Sequence, residues 1–468
     1  MNPLSSRSKL LPVLAYAALI SAVISSLGML LVPTISREMS VSVGTGQWML
    51  TINLLVGAVA TPIMGRLSDG PHKKRLLLWA LTVILTGSIL AAAAPNFTVF
   101  LIGRAFQGLA YGIVPVTIAL ARRYVAEDKV DDGISTLSVT VSTGMGVGYP
   151  LTGMLAEAYG FRSAFTFSAV FAVTAIVVIS RAVPNGPDER APLRVFDLPG
   201  SVLLGIGLAL LLLAVSEGSN WGWNSPWTIA CFLCAGMDLV LWSAVELRAK
   251  HPLINLQVLR NRVVLLANGT AIGLGAAMYV ALSVASLIAQ APASIGYGIA
   301  LPLFWAGFVM LPLSAGSLGA NRLVRVLSNR IRMKSILPLG AGFLTASTCI
   351  LWIVHGELWQ VMVGMLLIGV GVGMTYAAMP SLIARSVAAV ELGSAVSFNQ
   401  LLRTVGGSFG SAVSGAVLAA HIGPDLHPTV TAINAALSIS AISCTAVFTA
   451  LVVNHLIPSR QFEPRLHS

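Results

Sequence analysis

Residues 48–95 read WMLTINLLVGAVATPIMGRLSDGPHKKRLLLWALTVILTGSILAAAAP. Two apolar runs, near 46–66 and 76–95, flank a polar island in which Asp69 precedes the cations Lys73, Lys74 and Arg75. An α-helix needs roughly 20 apolar residues to cross a hydrocarbon core of roughly 30 Å. Each run has that length. The cations between them place the joining loop on the cytoplasmic side of a bilayer, where basic residues are retained. The stretch therefore reads as two membrane-spanning helices joined by a cytoplasmic loop.

The same alternation extends in both directions. Further spans are expected near 11–34, 98–121, 133–156, 163–183, 198–216, 226–247, 263–288, 298–320, 335–354, 358–382, 394–420 and 432–457, about fourteen in all. The run after Arg7 and Lys9 is too long for a signal peptide and lacks a small-x-small cleavage site, so it reads as the first retained span. Gaps of at most about 15 residues leave no room for a soluble catalytic domain. Of 468 residues, 56% are hydrophobic and 10% charged, too few charges for a water-facing surface of this size. The expected fold is an all-α integral membrane protein.

A net charge of +11 in a soluble protein would suggest nucleic acid. Here the cations sit in short clusters between apolar runs. With a cytoplasmic N-terminus, all but four of the 28 lysines and arginines fall in cytoplasmic segments. Arg37 and Arg162 fall outside, and Arg104 and Arg403 lie within spans. A wrong span count would scramble this asymmetry from the error onward. An even count with both termini cytoplasmic is expected, in the plasma (inner) membrane.

The chain also repeats itself. Gly144, Gly148 and Gly153 in span 5 have the spacing of Gly406, Gly410 and Gly415 in span 13. Gly108 and Gly112 in span 4 are matched by Gly369 and Gly373 in span 12. Small residues four apart allow helices to pack closely. Matches eight spans apart imply that six spans repeat and two are inserted. The expected domains are an N-terminal six-helix bundle (1–183), a linker with two inserted helices (184–250) and a C-terminal six-helix bundle (251–468). Related halves are one way to build a central site that opens to either side.

Several segments resemble the major facilitator superfamily. GRLSDGPHKKR (65–75) is similar to its signature loop, with Gly65, Leu67, Asp69, Lys73, Lys74 and Arg75 matching. LIGRAFQGLAYG (101–112) looks like its span 4 motif, through Arg104, Gln107 and Gly108. GMGVGYPLTG (144–153) is similar to the span 5 antiporter motif, through Gly144, Gly148, Pro150 and Gly153. NQLLRTVGGSFGSAVSG (399–415) and HPLINLQVLRNR (251–262) resemble segments of fourteen-span drug:proton antiporters. The resemblance implies a gating latch at the loop of Gly65 and Asp69, proton coupling at Arg104, and antiport through the span 5 motif. Members of that group often carry a span 1 aspartate, whereas this region reads ISSLGMLLVPTI (24–35), without a carboxylate.

The residues themselves point the same way. A guanidinium inside a span costs several kcal/mol unless it faces a cavity or a partner, so Arg104 and its second-half counterpart Arg403 are candidate site residues. Asn53, Gln107, Asn399, Gln400 and Arg403 are candidates for a substrate cavity. Of the 17 acids only Asp238 lies deep in a span, in the inserted pair, where packing is the favoured reading. Glu157, near an external helix end, is a candidate proton-entry group, and Glu217 lies at another such end. Trp221, Trp223 and Trp227 suit an aromatic belt, and His421 and His455 read as interface residues. Cys231 and Cys234 form a CxxC within an apolar helix with no second ligand pair, so no metal and no cofactor are expected. No Gly-Lys-Ser/Thr phosphate loop suggests an ATP-driven pump, and no polar cluster suggests a membrane enzyme. The expected partners are a small-molecule substrate, protons and the bilayer, not nucleic acid. The leading function is proton-coupled export of drugs or other amphipathic molecules by alternating access. The alternatives are a dedicated exporter of one endogenous metabolite and a non-transporting sensor. The lack of central acids favours neutral or anionic substrates over dications.

Overall fold

Polar caps start helices where the chain turns at the membrane face. Asn96 accepts from the N–H of Val99 (3.0 Å), Asn261 from that of Val263 (2.9 Å), and Glu357 forms a reciprocal capping box with Gln360. The computed structural model describes residues 10–41, 43–68, 70–125, 127–185, 197–250, 252–328, 330–331, 333–387, 392–421, 423 and 428–456. Asp69 lies outside the described residues.

The helices of the first half are α1 (Leu10–Ser26), α2 (Val32–Glu38), α3 (Val43–Ser68), α4 (Lys73–Ala92), α5 (Phe97–Gln107), α6 (Ile113–Tyr124), α7 (Glu127–Tyr159) and α8 (Arg162–Ala182). α9 (Leu198–Trp221) and α10 (Pro226–Arg248) follow, in the stretch read from the sequence as an insertion. Then follow α11 (Arg262–Gln290), α12 (Leu303–Phe308), α13 (Leu311–Ser328), α14 (Met333–Ile353), α15 (Leu358–Ala384), α16 (Leu392–Ala420) and α17 (Val430–Leu456). Three expected spans are interrupted. The first breaks where Gly28 takes φ 117°, a left-handed conformation that ends α1. Span 4 passes through a 3-10 turn at Gly108–Gly112, and the tenth is split between α12 and α13.

Among the described residues, eleven helical segments are long and apolar enough to cross a membrane, against the fourteen expected. Leu10–Ser26 is apolar but only 17 residues long. Helices α7 and α16 run along the other two expected spans.

Leu14, Ile84, Val116 and Ile179 belong to one buried cluster, and Met278, Leu313, Ile336, Met374 and Leu437 to another. A third cluster joins Ala58 of α3, Leu204 and Leu208 of α9, Trp242 of α10, and Phe398 and Leu401 of α16. The inserted pair thus rests on the line where the halves meet.

The repeated glycines are used alike in both halves. Gly144 and Gly148 bring α7 against Ala22 and Ser26 of α1, while Gly406 and Gly410 bring α16 against the carbonyls of Ile272 and Ala276 in α11. Gly108 lies against Asn53 and Val56 of α3, and Gly369 and Gly373 lie against Leu313 and Ser317 of α13. A Cβ at these positions would collide with backbone or side chain, so small residues set the interhelical distance.

Candidate functional site: a central cavity between the halves

α5 carries Arg104 into the interior, where it is fully buried. Its Nε donates to the Met49 carbonyl (3.2 Å) and its Nη1 to Gln107 Oε1 (2.6 Å). The Phe165 ring lies 5.7 Å from the guanidinium carbon. The Gln107 amide donates to Ser88 Oγ (2.9 Å) and Ser168 Oγ (3.2 Å), which bond each other at 2.9 Å. This chain links α3, α4, α5 and α8 and fixes how the guanidinium sits.

Beyond Arg104 opens a cavity of about 20 Å³, room for one or two waters, lined by Ser25, Asn53, Arg104, Tyr111, Tyr149 and Tyr279, among others. The Tyr111 hydroxyl hydrogen-bonds with Tyr279, so the two halves meet inside it. Among the described residues, Arg104 Nη2 and both amide atoms of Asn53 are buried without a hydrogen-bond partner.

The site is sealed on the side opposite the basic loops. Gly153 lies against the Leu303 carbonyl, and Gly307 packs on the backbone of Tyr149 and Pro150. Ser314 Oγ donates to the Thr143 carbonyl (3.0 Å), and Glu157 Oε2 accepts from the Phe304 N–H (2.6 Å). Toward the basic side a second cavity of about 50 Å³ separates Pro115, Ile118 and Arg122 of the first half from Pro380, Ala384 and Val396 of the second.

The expected site residues divide. Asn53 and Arg104 line the cavity together. Gln107 does not line it, because its amide is committed to the serine pair behind Arg104. Asn399 is also turned away, donating to the Ala267 carbonyl (3.1 Å) and Asn268 Oδ1 (3.0 Å) within its own half. Gln400 bridges the halves by donating to the Tyr111 carbonyl (3.2 Å). Arg403 lies over the Tyr376 ring, 3.8 Å from its centroid. Glu157 is exposed at the outer seal, whereas Arg104 is buried beside the central cavity. Asp238 faces Gly207 within the inserted pair. Trp48 donates from its indole to Glu217, tying α3 to α9, and Thr51 bonds Ser216 at 3.2 Å beside it.

At the end of α3 Ser68 Oγ donates to the Gly65 carbonyl (2.6 Å), and at the start of α4 Lys73 Nζ donates to the Gly70 carbonyl (2.9 Å). Lys74 Nζ reaches the carbonyls of Ser180 (2.7 Å) and Val183 (2.5 Å) and Asn185 Oδ1 (2.7 Å). It thereby caps the C-terminal end of α8, whose last carbonyls lack intrahelical partners. Leu67 and Arg75 are exposed. The sequence reading missed the tyrosines of the cavity. Their signal is a polar-tipped aromatic in mid-span, where a hydroxyl needs a partner.

A family model described as Major Facilitator Superfamily matches residues 14–411. The chain is 29% identical over 401 residues to the multidrug resistance protein Stp of Mycobacterium tuberculosis, covering 85% of this chain and 73% of that protein. It is 27% identical over 336 residues to a lincomycin resistance protein of Streptomyces lincolnensis, covering 72% and 68%. The fold matches the crystal structure of the human organic anion transporter MFSD10 with a TM-score of 0.65, covering 95% and 99% of the chains at 14% identity.

Proposed function

The chain belongs to the major facilitator superfamily, and from that membership we propose that it exports small amphipathic molecules against a proton gradient by alternating access. It is a multi-pass membrane transporter, not an enzyme. The observation that carries the export reading is the arrangement of the cavity. Side chains of both halves line it, and it is shut on one side by α7 against α12 and α13, with a groove between the halves on the other. That is one end-state of a rocking cycle, in which the seal and the groove exchange sides. Kinship to the Stp and lincomycin resistance proteins supports drugs as the substrate class.

The halves we assign are residues 1–183 and 251–468, with 184–250 as the inserted linker. We place the protein in the plasma membrane with both termini cytoplasmic, on the strength of the cation distribution. Gly65, Leu67, Asp69, Lys73, Lys74 and Arg75 form the cytoplasmic gate in this reading. Gly144, Gly148, Pro150 and Gly153 form the surface on which the outer seal closes. Arg104 couples charge to the conformational change, and Glu157 guards proton entry at the outer seal. Gln400 and Arg403 carry the second half's contribution at the interface.

Transport into inverted membrane vesicles with an imposed pH gradient tests this reading. A panel of dyes, antibiotics and metabolites should accumulate only while the gradient lasts, and a protonophore should abolish uptake. Accumulation indifferent to the gradient would remove the proton-coupling claim, and no accumulation of any compound would remove the export claim.

A further inference from the structure

Arg104 is a buried cation with one arm unused. Its Nε and Nη1 are bonded to Met49 and Gln107, while among the described residues Nη2 has no partner. Asn53, 1% exposed, lines the same cavity with neither amide atom bonded. Among the described residues, no carboxylate lines that cavity. The position facing Nη2 from the first span is Gly28, where a Cβ would stand 3.4 Å from Nη2 and 2.7 Å from the Met49 methyl, so the first span offers no side chain there as a counter-ion.

A buried guanidinium without a counter-charge is costly, and each orphaned donor adds the desolvation penalty of an unmade bond. A ligand bringing negative charge and acceptor oxygens relieves both. The planar guanidinium matches the geometry of carboxylate and sulfonate oxygens. Tyr111, Tyr149 and Tyr279 complete the lining with aromatic faces and polar tips suited to a flat apolar body. A cationic ligand would instead place a second positive charge in a low-dielectric site without a compensating acid.

We infer that this cavity binds the acid group of small aromatic organic anions, with Arg104 Nη2 and Asn53 Nδ2 donating to it. This deepens the export reading and rests on it for transport, though not for binding. The present void suits the acid group alone, and the body of the ligand enters when the halves part.

The test uses the full chain in lipid nanodiscs, with empty nanodiscs as background, and calorimetric titration of three probes of one shape. These are 2-naphthalenesulfonate, the uncharged 2-naphthalenesulfonamide and the permanent cation 2-naphthyltrimethylammonium. The sulfonate should bind at least tenfold more tightly than either. Asn53→Asp, nearly isosteric, should weaken sulfonate binding at least tenfold and strengthen binding of the cation. Arg104→Gln should abolish sulfonate binding, and the Asn53→Asp result decides the matter if that variant fails to fold. The inference is overturned if the cation binds wild type as tightly as the sulfonate, if Asn53→Asp leaves the sulfonate unaffected, or if no probe binds. Sulfonate that binds as expected but is not moved in vesicles would leave this inference standing and remove the export reading.

Discussion

Glu157 Oε2 of the first half accepts the backbone N–H of Phe304 in the second at 2.6 Å, across the seam that closes the outer end of the cavity. Around it Gly153 lies against the Leu303 carbonyl, and Gly307 against Tyr149 and Pro150. The seal is therefore backbone packing with one carboxylate clasp.

Removing that clasp should favour the outward-facing state. An exposed hydrogen bond of this type contributes about 0.5–1.5 kcal/mol, so Glu157→Ala should raise outward occupancy by roughly two- to tenfold. Spin labels on the outer ends of α7 and α13 would report the longer-distance population, and an unchanged distance distribution would show that the seal closes without the Glu157 clasp.

The glycine contacts make a paired forecast about stability. Gly406→Ala puts a methyl into the Ile272 carbonyl, an overpacking that should cost about 1–3 kcal/mol. Gly269→Ala, on the helix that Gly406 packs against, has open space around it and should be neutral or slightly stabilising. Thermal unfolding in detergent measures both, and equal midpoints would mean that α11 and α16 can separate without loss.

Lys74 caps α8 through two backbone carbonyls and Asn185. Lys74→Met should lower stability by about 1 kcal/mol, the value of a charged hydrogen bond reduced for partial exposure. The midpoint of thermal unfolding should fall, and Lys74→Arg should recover part of the loss. A variant as stable as wild type would make Lys74 a topology signal only.

Orientation can be read with a membrane-impermeant maleimide on intact cells. In a background lacking Cys231, Cys234, Cys349 and Cys444, a cysteine at Ser225 should react and one at His72 should not until the cells are permeabilised. The opposite pattern would invert the topology and with it the assigned direction of transport.

The helices were legible because length and apolarity are properties of each segment alone. The repeat was legible because close packing demands small residues, and the structure puts the paired glycines to the same use. Arg104 and Asn53 could be foreseen as polar groups in mid-span. Gln107 and Asn399 met the same criterion, yet their amides are satisfied behind the cavity wall, by Ser88 and Ser168 in one case and Ala267 and Asn268 in the other. Which face of a helix looks into a cavity depends on neighbours distant in sequence. For the same reason Tyr111, Tyr149 and Tyr279, from three separate spans, could not be gathered beforehand. The break in span 1 was hidden because Gly28 sits inside a run long and apolar enough to read as one span.

Among the described residues, the inserted pair lies across one of the two flanks where the halves adjoin, held to α3 by the Trp48–Glu217 hydrogen bond and to α16 by Phe398 and Leu401. A membrane-dissolved compound approaching on that side would meet the inserted helices first, whereas on the other α7 and α13 adjoin directly, so the two lateral approaches to the protein are unequal. Tracking a lipid-soluble photoprobe to its labelled residues would read that inequality directly.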